Sequence, residues 1–145
     1  MKTITKGTEK QIAYATTRRN EYLEANHENT AAGEYERRLS LAIIRNLENC
    51  DDADTVLDFL ASPDHHTSLI VSYDEQARIK QDIEDAMGRF EAAHPKPKVV
   101  LPLGRLALKR MSDEERAEYQ RRTDALRQWD RDREQYVRNE GRDAE

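Results

Sequence analysis

The stretch His94-Pro-Lys-Pro-Lys-Val-Val-Leu-Pro-Leu-Gly-Arg-Leu-Ala-Leu-Lys-Arg-Met111 separates parts of the chain that differ in character. It holds three prolines, one glycine, six Val or Leu and five Lys or Arg, and it has no acidic residue. Pro95 and Pro97 favour an extended, polyproline-like backbone, so a helix arriving from upstream stops here. On both sides of the stretch acid and base are interleaved and helix formers dominate. The expectation is an all-α protein in three parts. Residues 1–93 form a body of about four helices, 94–111 a basic extended connector, and 112–145 a long charged helix with a frayed tail.

Upstream of the connector, Ile79, Ile83, Ala86, Met87 and Phe90 recur at helical spacing and predict a helix over 73–93. Before it, Leu69-Ile70-Val71 reads either as the first turn of that helix or as a short strand. A strand there would pair with Val99-Val100-Leu101 in a small ribbon. Asp51, Asp52 and Asp54 supply an N-cap and first-turn carboxylates for a short helix whose buried side is Val56, Leu57 and Leu60. Ser62-Pro63 stops it. Tyr35, Leu39, Ala42, Ile43 and Leu47, widened by Leu41 and Ile44, form the strongest core stripe and predict a helix over 32–49. The first helix, over 8–26, starts at an N-cap Thr8 with Gln11 completing a capping box. Ile12, Ala15, Tyr22 and Leu23 make its inner face, with Arg18, Arg19 and Glu21 mostly outside.

Gly7 and the run Thr8-Glu9-Lys10-Gln11-Ile12-Ala13-Tyr14-Ala15 resemble the opening of small helical domains found in phage and mobile-element proteins. Those domains often carry tryptophan where this chain has Tyr14, and a tryptophan-rich later segment has no counterpart here. The resemblance implies a helical start and a genomic setting. It brings no activity and no site residues.

Downstream, Ser112-Asp-Glu-Glu115 is a second capping box. From there to about 139 there is neither Gly nor Pro, and the helix reaches about 40 Å at about 1.5 Å per residue. Its large apolar residues, Tyr119, Leu126, Trp129 and Tyr136, are spaced seven, three and seven. That is a narrow seam rather than a broad core face.

The charged and hydrophobic fractions are both 37% over 145 residues, and the mean hydropathy is -1.01. Globular domains usually run at roughly 45–50% apolar and about 25% charged. A chain this polar closes a modest core and leaves at least one element either exposed on most sides or dependent on a partner. The net charge of -5 disfavours a general affinity for nucleic acid or anionic membrane. No apolar run approaches bilayer length. The amino terminus lacks the apolar core of a secretion signal, and a lone Cys50 fits a reducing cytoplasm.

Side chains that could carry chemistry are scattered. His65 and His66 are adjacent and do not converge on one helix face. His27, His94 and Cys50 lie far from them and from each other, so no zinc spacing exists. Cys50 is flanked by Asp51 and Asp52, which oppose a thiolate. The glycines form no phosphate-cradling loop. The expectation is therefore a chain with no enzymatic activity, cofactor or metal.

What remains is binding. Trp129, Tyr119, Tyr136 and Leu126 supply apolar area, while Arg105, Lys109 and Arg110 provide orientation towards an acidic surface. Leu101, Leu103, Leu106 and Leu108 add anchors in the connector. These features predict a protein–protein interaction module of the cytoplasm. Taken with the resemblance, it is a phage- or mobile-element-encoded inhibitor of a host defence system such as a CRISPR complex. Two alternatives stand beside it. One is a nucleic-acid-binding accessory protein using the basic pairs Arg18-Arg19, Arg37-Arg38, Lys109-Arg110 and Arg121-Arg122. The other is a homodimer formed through the last helix.

Overall fold

The structure, a computed structural model, describes residues 1–31, 33–99 and 109–142. Among the described residues the fold is all-α. In chain order the helices are α1 (Glu9–Ala25), α2 (Glu34–Glu48), α3 (Ala53–Ala61), α4 (Thr67–Ile70), α5 (Tyr73–Ala93) and α6 (Asp113–Arg142). The chain divides into two compact units, Met1–Ile83 and Glu84–Glu145, so the boundary falls inside α5 rather than after residue 93.

The first unit is organised around Ala15, Ala42, Leu47, Ala53, Val56, Phe59, Ile70 and Val71, all buried. The capping box forms as expected: the Thr8 hydroxyl accepts from the Gln11 N–H at 3.2 Å and the Gln11 side chain accepts from the Thr8 N–H at 2.9 Å. The pairing of α1 with α3 is the most extensive in the unit, and Tyr22 meets Phe59 edge-on at 5.7 Å. On α3 the deepest side chains are Val56 and Phe59, while Leu57 and Leu60 are only half-buried. The short helix is thus rotated from the expected face, because Phe59 offers more area to bury than either leucine.

An amino-terminal arm, which the hydrophobic pattern did not disclose, completes this unit. Ile4 enters the core. The N–H groups of Thr5 and Lys6 donate to the Asp51 carbonyl at 2.9 and 3.0 Å, and the Ala53 N–H donates to the Lys6 carbonyl at 2.9 Å. Lys2 and Lys6 each place an ammonium 3.3 Å from the Asp51 carboxylate. Gly7 turns the arm into α1 at φ 134°, and a Cβ there would lie 3.0 Å from the Ala53 Cβ. Both facts require glycine.

The ambiguous segment is helical. Thr67 to Ile70 form α4, with the Asn46 side chain donating to the Ile70 carbonyl at 2.9 Å. Val71 is extended and buried. Ser72 then restarts the helix by accepting from the Glu75 N–H at 3.1 Å. The ribbon with 99–101 is therefore ruled out on the 69–71 side: a strand cannot carry the α4 turn. Residues 100 and 101 lie outside the described residues.

In the second unit α5 ends where Pro95 requires, with the His94 N–H donating to the Phe90 carbonyl at 2.8 Å. The second capping position also holds, Ser112 accepting from the Glu115 N–H at 3.2 Å. The last helix continues to Arg142, and Gly141 is helical and buried instead of frayed. Of the connector, residues 94–99 are non-helical. Lys109 and Arg110 are helical, so the basic end is not extended. Arg105 and the four connector leucines lie outside the described residues.

Candidate binding surface on the last helix

The expected seam of α6 splits into two halves. In the carboxy-terminal half, Trp129 is only 7% exposed. Its indole N–H donates to the His94 carbonyl at 2.8 Å, and its ring lies 5.6 Å from that of Phe90. The Lys96 ammonium and the Arg133 guanidinium sit 5.6 and 4.9 Å from the indole centroid, which satisfies the electron-rich ring faces with cations. Tyr136 is 5.7 Å from Phe90, and Val137 is buried. Arg133 and Arg89 close the margins through Glu91 at 2.9 Å and Glu140 at 3.4 Å. This corrects the expectation that Trp129 anchors another molecule, while Tyr136 beside it is half-buried. Phe90 supplies the apolar partner, and an indole with so little exposed area has little left to bury elsewhere.

The amino-terminal half differs. Tyr119 and Leu126 are half-buried, and Lys109 and Arg110 are exposed. Among the described residues, Lys109, Met111, Arg116, Tyr119 and Gln120 line a groove of about 390 Å³. The Arg116 guanidinium donates to the Lys109 carbonyl at 3.3 Å, tying the start of the helix to the end of the connector. Two sequence-predicted residues, Lys109 and Tyr119, are thus brought together. Met111 and Arg116 were not singled out, although Arg116 precedes Tyr119 by three residues and so shares its face. The structure does not bring Trp129 and Tyr136 to this groove.

Three of the four basic pairs that suggested a phosphate track are engaged within the chain, while Lys109 and Arg110 are exposed. Arg37 and Arg38 both bond Glu34, at 2.8 Å each. Arg121 and Arg122 both bond Glu118, at 2.6 and 2.9 Å. Arg18 bonds Glu21 at 3.0 Å. Arg19, expected on the outside, is 2% exposed and donates to the carbonyls of Cys50 at 3.0 Å and Leu47 at 3.5 Å. It caps the carboxy-terminal end of α2, where the helix dipole is negative, and its Nε has no hydrogen-bond partner. Spacing alone separates the two. Arg19 lies four residues after Ala15 and three before Tyr22, in the middle of the α1 stripe, whereas Arg18 lies at its edge. The charge of Arg19 masked that position.

Local contacts engage His65, His94 and the thiol, while the buried His66 Nδ1 has no hydrogen-bond partner among the described residues. The His65 ring bonds the Ser62 hydroxyl at 3.0 Å across one turn, and His94 stacks on Phe90 at 4.4 Å. The Cys50 sulfur lies 3.7 Å from the Asp52 carbonyl. Among the described residues no group of three or more His, Cys, Asp or Glu is placed to hold a metal ion. No described helix is long and apolar enough to cross a membrane. Compared with known proteins, the chain matches no family model, no curated protein and no solved structure.

Proposed function

We propose that this chain is a non-catalytic protein-binding module whose contact surface is the amino-terminal half of α6 and the basic residues at its foot. The observation that supports this reading is the groove lined by Tyr119 and Met111 together with Lys109, Arg116 and Gln120. Aromatic, methionine and arginine side chains are the types enriched in protein interfaces. The cations select an acidic partner and speed the encounter, while the apolar groups hold the complex once formed. The resemblance of Thr8 to Ala15 to phage and mobile-element domains directs the choice of partner to host defence complexes, CRISPR-type complexes among them. In-chain pairing of the arginine doublets counts against a phosphate track.

The test is site-specific cross-linking. A photo-reactive phenylalanine at position 119 should capture one protein, and the same group at the exposed Tyr14 should not. Lys109→Glu with Arg116→Glu should abolish capture. Equal capture from both positions would reject the surface. Affinity should fall only shallowly as salt rises, through screening of the Lys109 and Arg116 contacts, and a loss of about 10³-fold or more between about 50 and 200 mM would instead indicate phosphate contacts.

A further inference from the structure

We infer that the cleft between the end of α1, the loop after it and the middle of α2 binds an alkylguanidinium, either a free small molecule or the side chain of an arginine. The cleft lies within the first unit, and the inference does not depend on the groove at the foot of α6. Three observations lead there.

The first is the cleft itself. Tyr22, Asn26, Glu28, Thr30, Ser40 and Ile44 line a space of about 200 Å³. Sites for drug-sized molecules start at about 300 Å³, so this one suits a fragment of a few heavy atoms. Its wall is braced: the Asn29 side chain donates to the Arg37 carbonyl at 3.0 Å and accepts from the Ala31 N–H at 3.2 Å. Tyr22 is held edge-on against Phe59 in the core. A lining fixed in advance lowers the ordering cost of binding.

The second is the sign of the field. Among the described residues no lysine, arginine or histidine lines the cleft, whereas Glu28 does. Asn26 is the C-cap of α1, and the last turn of that helix holds no basic residue. The negative end of the helix dipole therefore meets the cleft without a cation of its own turn. Burial pushes the Tyr22 hydroxyl up, and the Asp64 carboxylate, acting from outside the lining, pushes it further. His27 lies 3.7 Å from Glu28 through Nε2, but its Nδ1 is committed to the Glu24 carbonyl at 2.7 Å. The Arg37 guanidinium is bound to Glu34. An anion placed here would face carboxylates and helix carbonyls, and a cation is attracted by both.

The third is unused acceptor capacity. Among the described residues the hydroxyls of Tyr22, Thr30 and Ser40 make no hydrogen bond. Asn26 spends its amide N–H on the Tyr22 carbonyl at 2.8 Å and keeps its amide oxygen free. With the Glu28 carboxylate these oxygens come from three segments of chain. A guanidinium, planar and with donors along several edges, bonds several such acceptors at once, which a compact ammonium does less well. The half-buried Tyr22 ring adds an aromatic surface on which a guanidinium stacks.

Amide chemical shifts of the isotope-labelled full chain read the site directly. Propylguanidinium, added to about 20 mM, should move the amides of residues 22–31 and 40–44 saturably, with a dissociation constant on the order of 1 mM. Propylurea has the same shape without the charge and should bind at least about tenfold more weakly. Glu28→Gln should weaken propylguanidinium by about threefold or more, and Ser40→Leu, which fills the cleft, should abolish the response. If Ser40→Leu does not fold, Glu28→Gln, on the exposed loop, carries the test. A blocked glycyl-arginyl-glycine peptide separates the two sources: binding equal to that of propylguanidinium assigns the site to an arginine side chain, and no binding assigns it to a free molecule. Shifts that do not saturate, that spread evenly over both units, or that propylurea reproduces overturn the inference. So does a Glu28→Gln chain that binds as the wild type does.

Discussion

The two compact units use the same helical vocabulary to opposite ends. The first buries nine apolar side chains in one cluster, drawn from five successive elements: the amino-terminal arm and α1, α2, α3 and α4, with Val71 just beyond. The second, among its described residues, relies on a single aromatic group around Phe90, flanked by the Arg133–Glu91 and Arg89–Glu140 pairs. A core fed from many elements is lost or kept as a whole, whereas a core resting on one ring depends on that ring. The comparison explains why the polar composition is tolerable: the apolar residues are concentrated in the first unit, and much of α6 is left charged.

The largest expected effect lies in the first unit. Phe59→Ala removes a fully buried ring and should cost about 4 kcal/mol, measured by urea unfolding followed by circular dichroism. A cost below about 1 kcal/mol would mean that the cluster is looser than its burial indicates. Next comes the ring on which the second unit depends. Trp129→Ala should cost about 3 kcal/mol locally, read as faster amide exchange across the last four turns of α6. Trp129→Phe keeps the ring packing and gives up the bond to the His94 carbonyl, and should cost about 1 kcal/mol. If both substitutions leave exchange unchanged, the single-cluster description of the unit fails.

Arg19→Met sharpens the contrast from inside the first core. It removes a buried charge that lacks a carboxylate partner, but it also strips the Cys50 and Leu47 carbonyls of their donor. The second effect should prevail, at about 2 kcal/mol of destabilisation. A stabilised variant would mean that the unpaired Nε was the dominant cost.

The smallest effect is electrostatic. Burial pushes the Glu34 carboxyl up, but hydrogen bonds from Arg37 and Arg38 outweigh it and hold the group below its ordinary value. Hydrogen bonds from Lys2 and Lys6 hold Asp51 low in the same way. A carboxyl with a depressed folded-state pKa contributes stability that is present above its unfolded value, about 4.3 for Glu, and is lost as the pH falls through the folded value. Stability should therefore decline below about pH 4.3, and Glu34→Gln should flatten part of that decline while costing about 1 kcal/mol at neutral pH. An unchanged acid profile in Glu34→Gln would remove the Arg37–Glu34–Arg38 cluster as a contributor.

Much of the architecture could be read from local signals. Helix starts at Thr8 and Ser112 and the stop at Pro95 follow from capping and ring geometry, which act over a few residues and are visible in any sequence. The α2 stripe was legible for the same reason: its apolar residues repeat at the helical period. The misreadings have two causes. Ile4 and Phe59 are placed by what reaches them from elsewhere in the chain, whereas Arg19 sits at the centre of the α1 stripe and only the Cys50 and Leu47 carbonyls that receive it were out of local view. The candidate site was half legible: Lys109 and Tyr119 were identified, whereas Arg116 and Met111 joined them only once the start of α6 was seen against the end of the connector.

By itself the sequence determined that this protein is helical, where most helices begin and end, and that α6 carries a seam. Those properties depend on backbone hydrogen bonding and on side-chain spacing along one strand of chain. Only the tertiary structure decided that the seam is divided, with Trp129 closed over Phe90 and His94 while Tyr119 lies by a basic groove. Burial is a property of two surfaces in contact, and the second surface is supplied by residues 30 or more positions away.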